Sequence, residues 1–425
     1  MRGVILVPSF GHPGGLSRPA SSASGGVRNA FPESDFIYLD YNATTPVDPA
    51  VAEAVDEAMR TLWGNPSSGH RLGRQARRAV EEARAQVAAC LHARPEEIVF
   101  TAGGTEADAW AVLGSVEARG GGHVVVSAVE HAAVLAPARE LARQGRIRLT
   151  ELPVDRHGQV DVGQLAEALA AETVLVSVML ANNEVGTVQP VAEVAELCRR
   201  RGVVCHTDAA QAVAKIPVQV DELGVDLLTV AGHKLYAPKG VGALYVRAGT
   251  PLAPLLRGAG QEGGRRAGTE SVPLIVALGV ACTLAAGDLT AEGRRLAALR
   301  DRLEVLFMEG FPGLIRHGHP SQRLPNTASV AFPGVDAHAL LASLADSVAA
   351  SAGAACHSGH RTPSHVLTAM GVDAATAAAT VRFSVGRFTT PAEVEEGAAR
   401  VLAAARSLAG TAHREGRGDH PRHQR

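Results

Sequence analysis

Short runs of β-branched and aliphatic residues alternate along the chain with longer stretches whose apolar positions recur every three or four residues. The runs are IVF at 98–100, HVVVS at 123–127, TVLVSVML at 173–180, VVCHT at 203–207, DLLTV at 226–230 and GALYV at 242–246. Most are apolar throughout, the mark of strands covered on both faces. Asp48-Pro49 supplies an N-cap and a first-turn proline for a helix to about Leu62, and Leu72, Ala76, Ala79, Ala83, Val87 and Cys90 mark one face of the next. Strands alternating with helices predict an α/β fold with a mostly parallel sheet.

After Asp288 the rhythm changes. A charged helix near Glu292–Glu309 precedes strand-like ASVAF (328–332), the helix DAHALLASLA (336–345), SVAASAGAAC (347–356), VRFSVG (381–386) and a final helix from Pro391. These predict a second, smaller α+β domain. The expected organisation is a disordered tail over 1–35, a large domain over 36–287 whose first residues are free to pack with the small one, a small domain over 288–412, and a second tail over 413–425. The longest uncharged apolar stretch, between Glu270 and Asp288, contains Pro273, Gly279 and Gly287. It falls short of the ~20 residues a spanning helix needs, so no membrane segment is expected.

Composition narrows the function classes. Of 425 residues, 41 are Lys or Arg and 43 Asp or Glu, a net charge of −2 that gives no support to a nucleic-acid surface. Five cysteines, Cys90, Cys198, Cys205, Cys282 and Cys356, are odd in number and form no CxxC. Neither a disulfide framework nor a zinc knuckle is indicated, and a reducing, cytoplasmic setting is expected. The first 35 residues are rich in Gly, Ser and Pro, with Arg2, Arg18 and Arg28 and no acid before Glu33. They are weakly like a transit peptide but lack an amphipathic arginine period, which favours a loose tail or an over-extended start.

Candidate chemistry begins at Lys234 in TVAGHKLYAPKG, after an expected buried strand. Open α/β sheets place ligands at the C-terminal ends of their strands, although a surface lysine after a strand is commoner. HTDAAQ puts Asp208 at the end of another run, and VEHAAV puts His131 just after a third. A Lys, a buried Asp and a His at one sheet edge are what pyridoxal phosphate requires: an amine for a Schiff base, a carboxylate to keep the pyridine nitrogen protonated, and a flat ring to stack. TAGGTEADAWAVLG offers Gly103, Gly104 and Thr105 ahead of a helix, a phosphate cradle or a plain strand-to-helix turn. GAGQEG (258–263) fits the dinucleotide fingerprint literally but follows no strand and opens no apolar helix, so it is set aside. Cys356 lies in SAGAACHSGHRTPSHVL, a small-residue stretch read as a mobile loop. It is open to three readings: an ordinary free thiol, a nucleophile, or, with His357 and His360, an incomplete metal site. The other four cysteines are expected to be packed in the core or placed incidentally.

YLDYNATTPVDP, WGNPSSGH, TAGGTEAD, VEHAAV, ANNEVGT, HTDAAQ, GHKLYAPKG, GQEGGRRAGTES, LPNTASVAF, GAACHSG and VRFSVGRFTT occur in the order and spacing of the cysteine desulfurases, from about Phe36 to Ser407. The chain thus resembles these class-V, fold-type-I pyridoxal phosphate enzymes and is close to the selenocysteine lyases. The resemblance implies Lys234 as the Schiff-base lysine, His131 as the stacking ring and proton relay, and Asp208 as partner of the pyridine nitrogen. It implies Gln211 at the phenolic oxygen, and Gly104, Thr105, His233 and Thr269 at the phosphate, with Thr269 supplied by the other subunit of a homodimer. Asn183 and Arg382 would hold the substrate α-carboxylate, with Asn183 also touching the cofactor and Asn42 also on the substrate side. Cys356 becomes the persulfide-forming nucleophile. A phosphate-binding Ser common in the family is replaced by Ala231, as selenocysteine lyases also tend to show. The implied function is conversion of L-cysteine to L-alanine with sulfur passed through Cys356 to an acceptor protein, for instance in iron–sulfur cluster assembly. The alternatives are a selenocysteine lyase, an aminotransferase or β-lyase of the same fold, and a scaffold subunit without turnover. No metal, nucleic acid or membrane partner is expected.

Overall fold

The computed structural model describes residues 35–287, 289–352 and 363–415. Cys356 and the middle of its expected loop, 353–362, and nearly all of both expected tails, lie outside the described residues; the ends of that stretch are described, as a short strand at Ser351–Ala352 and a helix from His365. The chain opens with strand β1 (Ile37–Tyr38). Seven more strands follow: β2 (Ile98–Thr101), β3 (Gly122–Ser127), β4 (Ile147–Leu152), β5 (Thr173–Ser177), β6 (Val204–Asp208), β7 (Leu227–Ala231) and β8 (Gly242–Val246). They form one sheet in the order β2-β8-β7-β6-β5-β3-β4.

Strands β7, β6, β5, β3 and β4 are mutually parallel, and β8 runs antiparallel to both of its neighbours. The sheet is therefore mostly parallel, as the runs predicted, with one reversal they did not show. Because side chains alternate across a strand, a wholly apolar run feeds two cores. Val125, Val176, Leu228 and Tyr245 enter the core beneath helices Arg71–Leu91 and Val272–Ala285. Their neighbours Val124, Leu175, Leu227 and Leu244 enter the core beneath helices Gly104–Arg119 and Ala132–Arg143. Strand β4 was not among the sequence runs. It lies at one edge of the sheet, and between its buried ends its residues are exposed or half-buried, which breaks the apolar signal.

A separate core is built from Phe307, Phe332, Phe383, Leu303, Val330 and Val401. It covers an antiparallel sheet in the order β12-β13-β10-β9, where β9 is Ile315–Arg316, β10 Thr327–Ala331, β12 Ser351–Ala352 and β13 Thr380–Ser384. The first described residues belong to this core: Ile37 and Leu39 are buried in it, and β1 pairs in parallel with β11 (Val348–Ala349). The last helix runs Pro391–Glu415, a little beyond the expected start of the C-terminal tail at His413, since HRE carries no glycine or proline to end it. Among the described residues no single helix is long and apolar enough to cross a membrane.

The GAGQEG segment runs into a short 3-10 turn, Gln261–Gly264, and neither follows a strand nor opens an α-helix. Its Glu262 is buried, takes both Nη groups of Arg84 at 2.7 Å, and accepts from the Phe100 amide at 2.9 Å. Removing one member of a buried, hydrogen-bonded ion pair strands the other. Arg84→Met should lower unfolding free energy by about 3–5 kcal/mol in urea. Arg84→Met combined with Glu262→Gln should recover part of the loss.

Candidate active site

The C-terminal ends of β2, β3, β5, β6 and β7 open on a cavity of about 700 Å³, lined among others by Asn42, Thr105, His131, Asn183, Asp208, Gln211, His233, Lys234 and Arg382. Sequence reasoning thus named residues that the fold brings together from seven separate segments. Gly104 also lines it. Thr269 is exposed and does not line the cavity of its own chain.

Each side chain is placed by the way its strand ends. After β7 the chain tightens into the turn Gly232–Lys234, which turns Lys234 inward. Its Nζ donates to the backbone oxygens of Asn42 at 2.7 Å and Ala43 at 2.8 Å. Burial first, then the Arg382 charge, pull the amine down to about 8, against the opposing pull of Asp208 and Asp40. Asp208 ends β6 and accepts from the Ala210 amide at 2.8 Å. Burial pushes its carboxyl up, while that amide, His131 and Lys234 act the other way. His131 caps helix Ala132–Arg143, accepting from the Ala133 amide at 3.2 Å, and burial lowers its basicity. His233 contacts Thr44 Oγ1 at 3.2 Å and is held down to about 4, chiefly by burial and then by Lys234.

Opposite these stands Arg382 on β13. It donates to Asp40 Oδ1 at 2.8 Å and to the Asn183 carbonyl at 3.1 Å. Asp40 is itself fixed by Ser351 Oγ at 2.9 Å. Asn42, expected on the substrate side, has its amide spent on the protein. Its Nδ2 donates to Asn183 O and Thr327 Oγ1, and its Oδ1 accepts from Asn326 Nδ2 at 3.0 Å. Asn42 therefore frames the site, with both N–H groups of its side chain given to the protein.

Other side chains at the site were not singled out from sequence. Asp108 lines the cavity, fully buried, and its carboxyl is pushed well up by burial and by Asp208. Glu130 lies behind His131, accepts from Ser127 Oγ at 2.7 Å and the Met179 amide at 2.5 Å, and is raised by burial to about 8. Glu184, raised by burial to about 7, accepts from Ser364 Oγ at 2.5 Å. All three stand inside or beside the quoted motifs, but one acid in a motif gives no hint that it is buried.

Three features test the fit of pyridoxal phosphate. Helix Gly104–Arg119 starts at Gly103 with no side-chain cap, so its first amide groups and Thr105 are free to meet a phosphate. The approach there is close: a Cβ on Gly242 would lie 2.8 Å from the Gly103 backbone. Among the described residues, Arg382 Nε and Asp108 Oδ1 are buried without a hydrogen-bond partner. An amide cluster, a buried carboxyl pair and a half-used guanidinium fit a ligand with a phosphate at one end and a cationic ring nitrogen in the middle, joined to a carboxylate-bearing substrate. Ala231 lines the cavity beside Gly104, where it offers no hydroxyl.

Comparison with known proteins bears on the same residues. Residues 37–396 match the family described as aminotransferase class-V. A cysteine desulfurase of Trichormus azollae is 46% identical over 364 residues, covering 84% of this chain and 90% of that protein. The cysteine desulfurase IscS of Dictyoglomus turgidum is 44% identical over 357 residues, covering 83% and 90%. Among solved structures, a NifS-like protein superposes with a TM-score of 0.81 at 35% identity, covering 87% of this chain and 98% of that one. With its mostly parallel sheet and its lysine, aspartate and histidine at one strand edge, the chain belongs to the class-V aminotransferase family, within the pyridoxal phosphate-dependent cysteine desulfurases.

Proposed function

We propose that this protein is a pyridoxal phosphate-dependent cysteine desulfurase, converting L-cysteine to L-alanine and leaving the sulfur as a persulfide on Cys356. The observation that carries this is the convergence of Lys234, Asp208, His131, Gln211 and Arg382 on one cavity. The desulfurase names of its relatives favour sulfur over selenium as the atom released.

Lys234 would hold the cofactor through its amine, Asp208 its ring nitrogen, His131 its ring face and Gln211 its phenolic oxygen. The uncapped helix at Gly104, with Thr105 and His233, would take the phosphate, joined by Thr269 of a second copy in a homodimer. The cofactor, when bound, supplies an electron sink that makes the substrate α-proton acidic and weakens the bond from β-carbon to sulfur. The rest falls to the chain's own groups. Arg382, pinned by Asp40 and the Asn183 carbonyl, has N–H groups left, Nε among them, to present to the substrate carboxylate, and so fixes which bond faces Lys234. Lys234 has a depressed pKa and is aimed by two carbonyls, so as a free amine it can take the α-proton and return it. Asp208, ionised once a cation faces it, keeps the ring nitrogen protonated. His131, held neutral by burial, can accept the thiol proton of the incoming cysteine. The Cys356 thiolate then attacks the substrate sulfur: a sulfur–sulfur bond forms, the carbon–sulfur bond breaks, and a proton on the β-carbon completes alanine. An acceptor protein would take the persulfide sulfur.

The decisive experiment measures alanine released from L-cysteine by the wild type and by Cys356→Ser. The wild type should release it and the variant should not, although both bind cofactor with the same visible spectrum; full turnover by Cys356→Ser would end the persulfide route. Arg382→Ala should raise KM for L-cysteine by roughly two orders of magnitude, the size expected when a buried charge partner is lost, with the cofactor spectrum unchanged. Cofactor uptake by the apoprotein carries a pH signature. Only the free amine reacts, and Lys234 is lowered from 10.5 to about 8. Stopped-flow uptake rates should climb with pH and level off above about 8, where an ordinary lysine would still be gaining reactivity.

A further inference from the structure

One buried charge has no part in this chemistry. Lys215 lies in the segment after β6 and is 7% exposed. Its ammonium donates to two acceptors of a single residue, the Gln211 backbone oxygen at 3.1 Å and Gln211 Oε1 at 2.9 Å. Among the described residues no carboxylate pairs with it, and the charges acting on it are both positive, Lys234 and Arg382. With burial as the larger cause, they pull the amine down to about 7. A desolvated amine facing two cations is a costly way to fill space that an apolar side chain could fill.

What the lysine supplies is direction. The oxygen and nitrogen of a glutamine amide are nearly identical in size, and only their partners decide which way the group points. As an ammonium a lysine nitrogen can only donate, and here it donates to Oε1. The amide nitrogen is thereby turned to the other side, where it donates to the Asn42 carbonyl at 2.9 Å. That leaves its second N–H as the free donor of a residue lining the cavity. The same Asn42 carbonyl accepts from Lys234, so the orientation is tied to the site lysine at one atom.

We propose that Lys215 is a positioning residue that locks the Gln211 amide with its nitrogen toward the cofactor, so that the phenolic oxygen meets a donor and never the amide oxygen. This rests on the reading of Gln211 as the neighbour of that oxygen. A donor there favours the phenolate and lets the adjacent Schiff-base proton leave at lower pH; without it, the proton is held longer.

The test is a pH titration of the visible band of the holoenzyme, with cofactor content and thermal melting checked for each variant. Lys215→Met should raise the midpoint by about one pH unit, the scale of one lost hydrogen bond to a charged group. Gln211→Ala should raise it similarly, and the double variant no further than Gln211→Ala alone. A Lys215→Met midpoint equal to wild type, or a shift that persists in full in the Gln211→Ala background, would overturn the proposal. If Lys215→Met does not fold, Lys215→Gln takes its place with a smaller upward shift expected; failure of both to fold would make Lys215 a core residue and equally overturn it. A wild type showing no visible band with pyridoxal phosphate would instead sink the cofactor reading on which the proposal stands.

Discussion

The site depends on how the short stretch Asp40–Thr45 is held. Asn42 bonds to both cores. Its amide and backbone N–H reach Asn326, Thr327 and Ser384 on one side, and its carbonyl takes Gln211 and Lys234 on the other. Asp40 clamps Arg382, and Thr45 binds the backbone at His233. Lys234 and Arg382 arise from different cores, so neither alone fixes their separation; this stretch does. Buried polar networks of this kind work only when nearly every member is satisfied, and among the described residues Arg382 Nε and Asp108 Oδ1, both on residues that line the cavity, are two of the few unsatisfied atoms.

The second constraint is electrostatic. Three cations, Lys215, Lys234 and Arg382, and three acids, Asp108, Glu130 and Asp208, are buried within reach of one another's fields. Burial disfavours every charged form, so lysines move down and acids up until several can exchange protons near neutral pH. That is a useful state for a site whose reaction moves a proton off one carbon and onto another. It also explains the use of Arg at position 382: a guanidinium keeps its charge where a lysine would lose it.

Much of the architecture was legible because burial leaves a pattern. Val124–Val126 and Leu227–Leu228 read as strands covered on both sides, and each is. Lys234, Asp208 and His131 were legible because a strand end followed by a reactive side chain is a position as well as a residue. Three things were hidden. The reversed direction of β8 leaves no trace, since apolar residues in a strand serve either direction. The edge strand β4 loses its apolar run on the side that solvent reaches. Lys215, Asp108 and Glu130 looked like ordinary charges, because nothing local distinguishes a lysine bound to Gln211 from one in water. Asn42 was legible only as a member of the site: its motif did not show which of its atoms the protein would use.

The pairing map has a consequence for the order in which the molecule is made. Strand β2, near residue 100, has one partner, and that is β8, whose residues leave the ribosome long afterward. Asn42 must wait longer still, for Ser384. Contacts between distant parts of a chain close slowly, and exposed strand edges invite wrong partners in the interval. Nearly all of the described chain has to emerge before residues 37–45 find their place, so the side of the pocket that carries Arg382 is the last to be assembled.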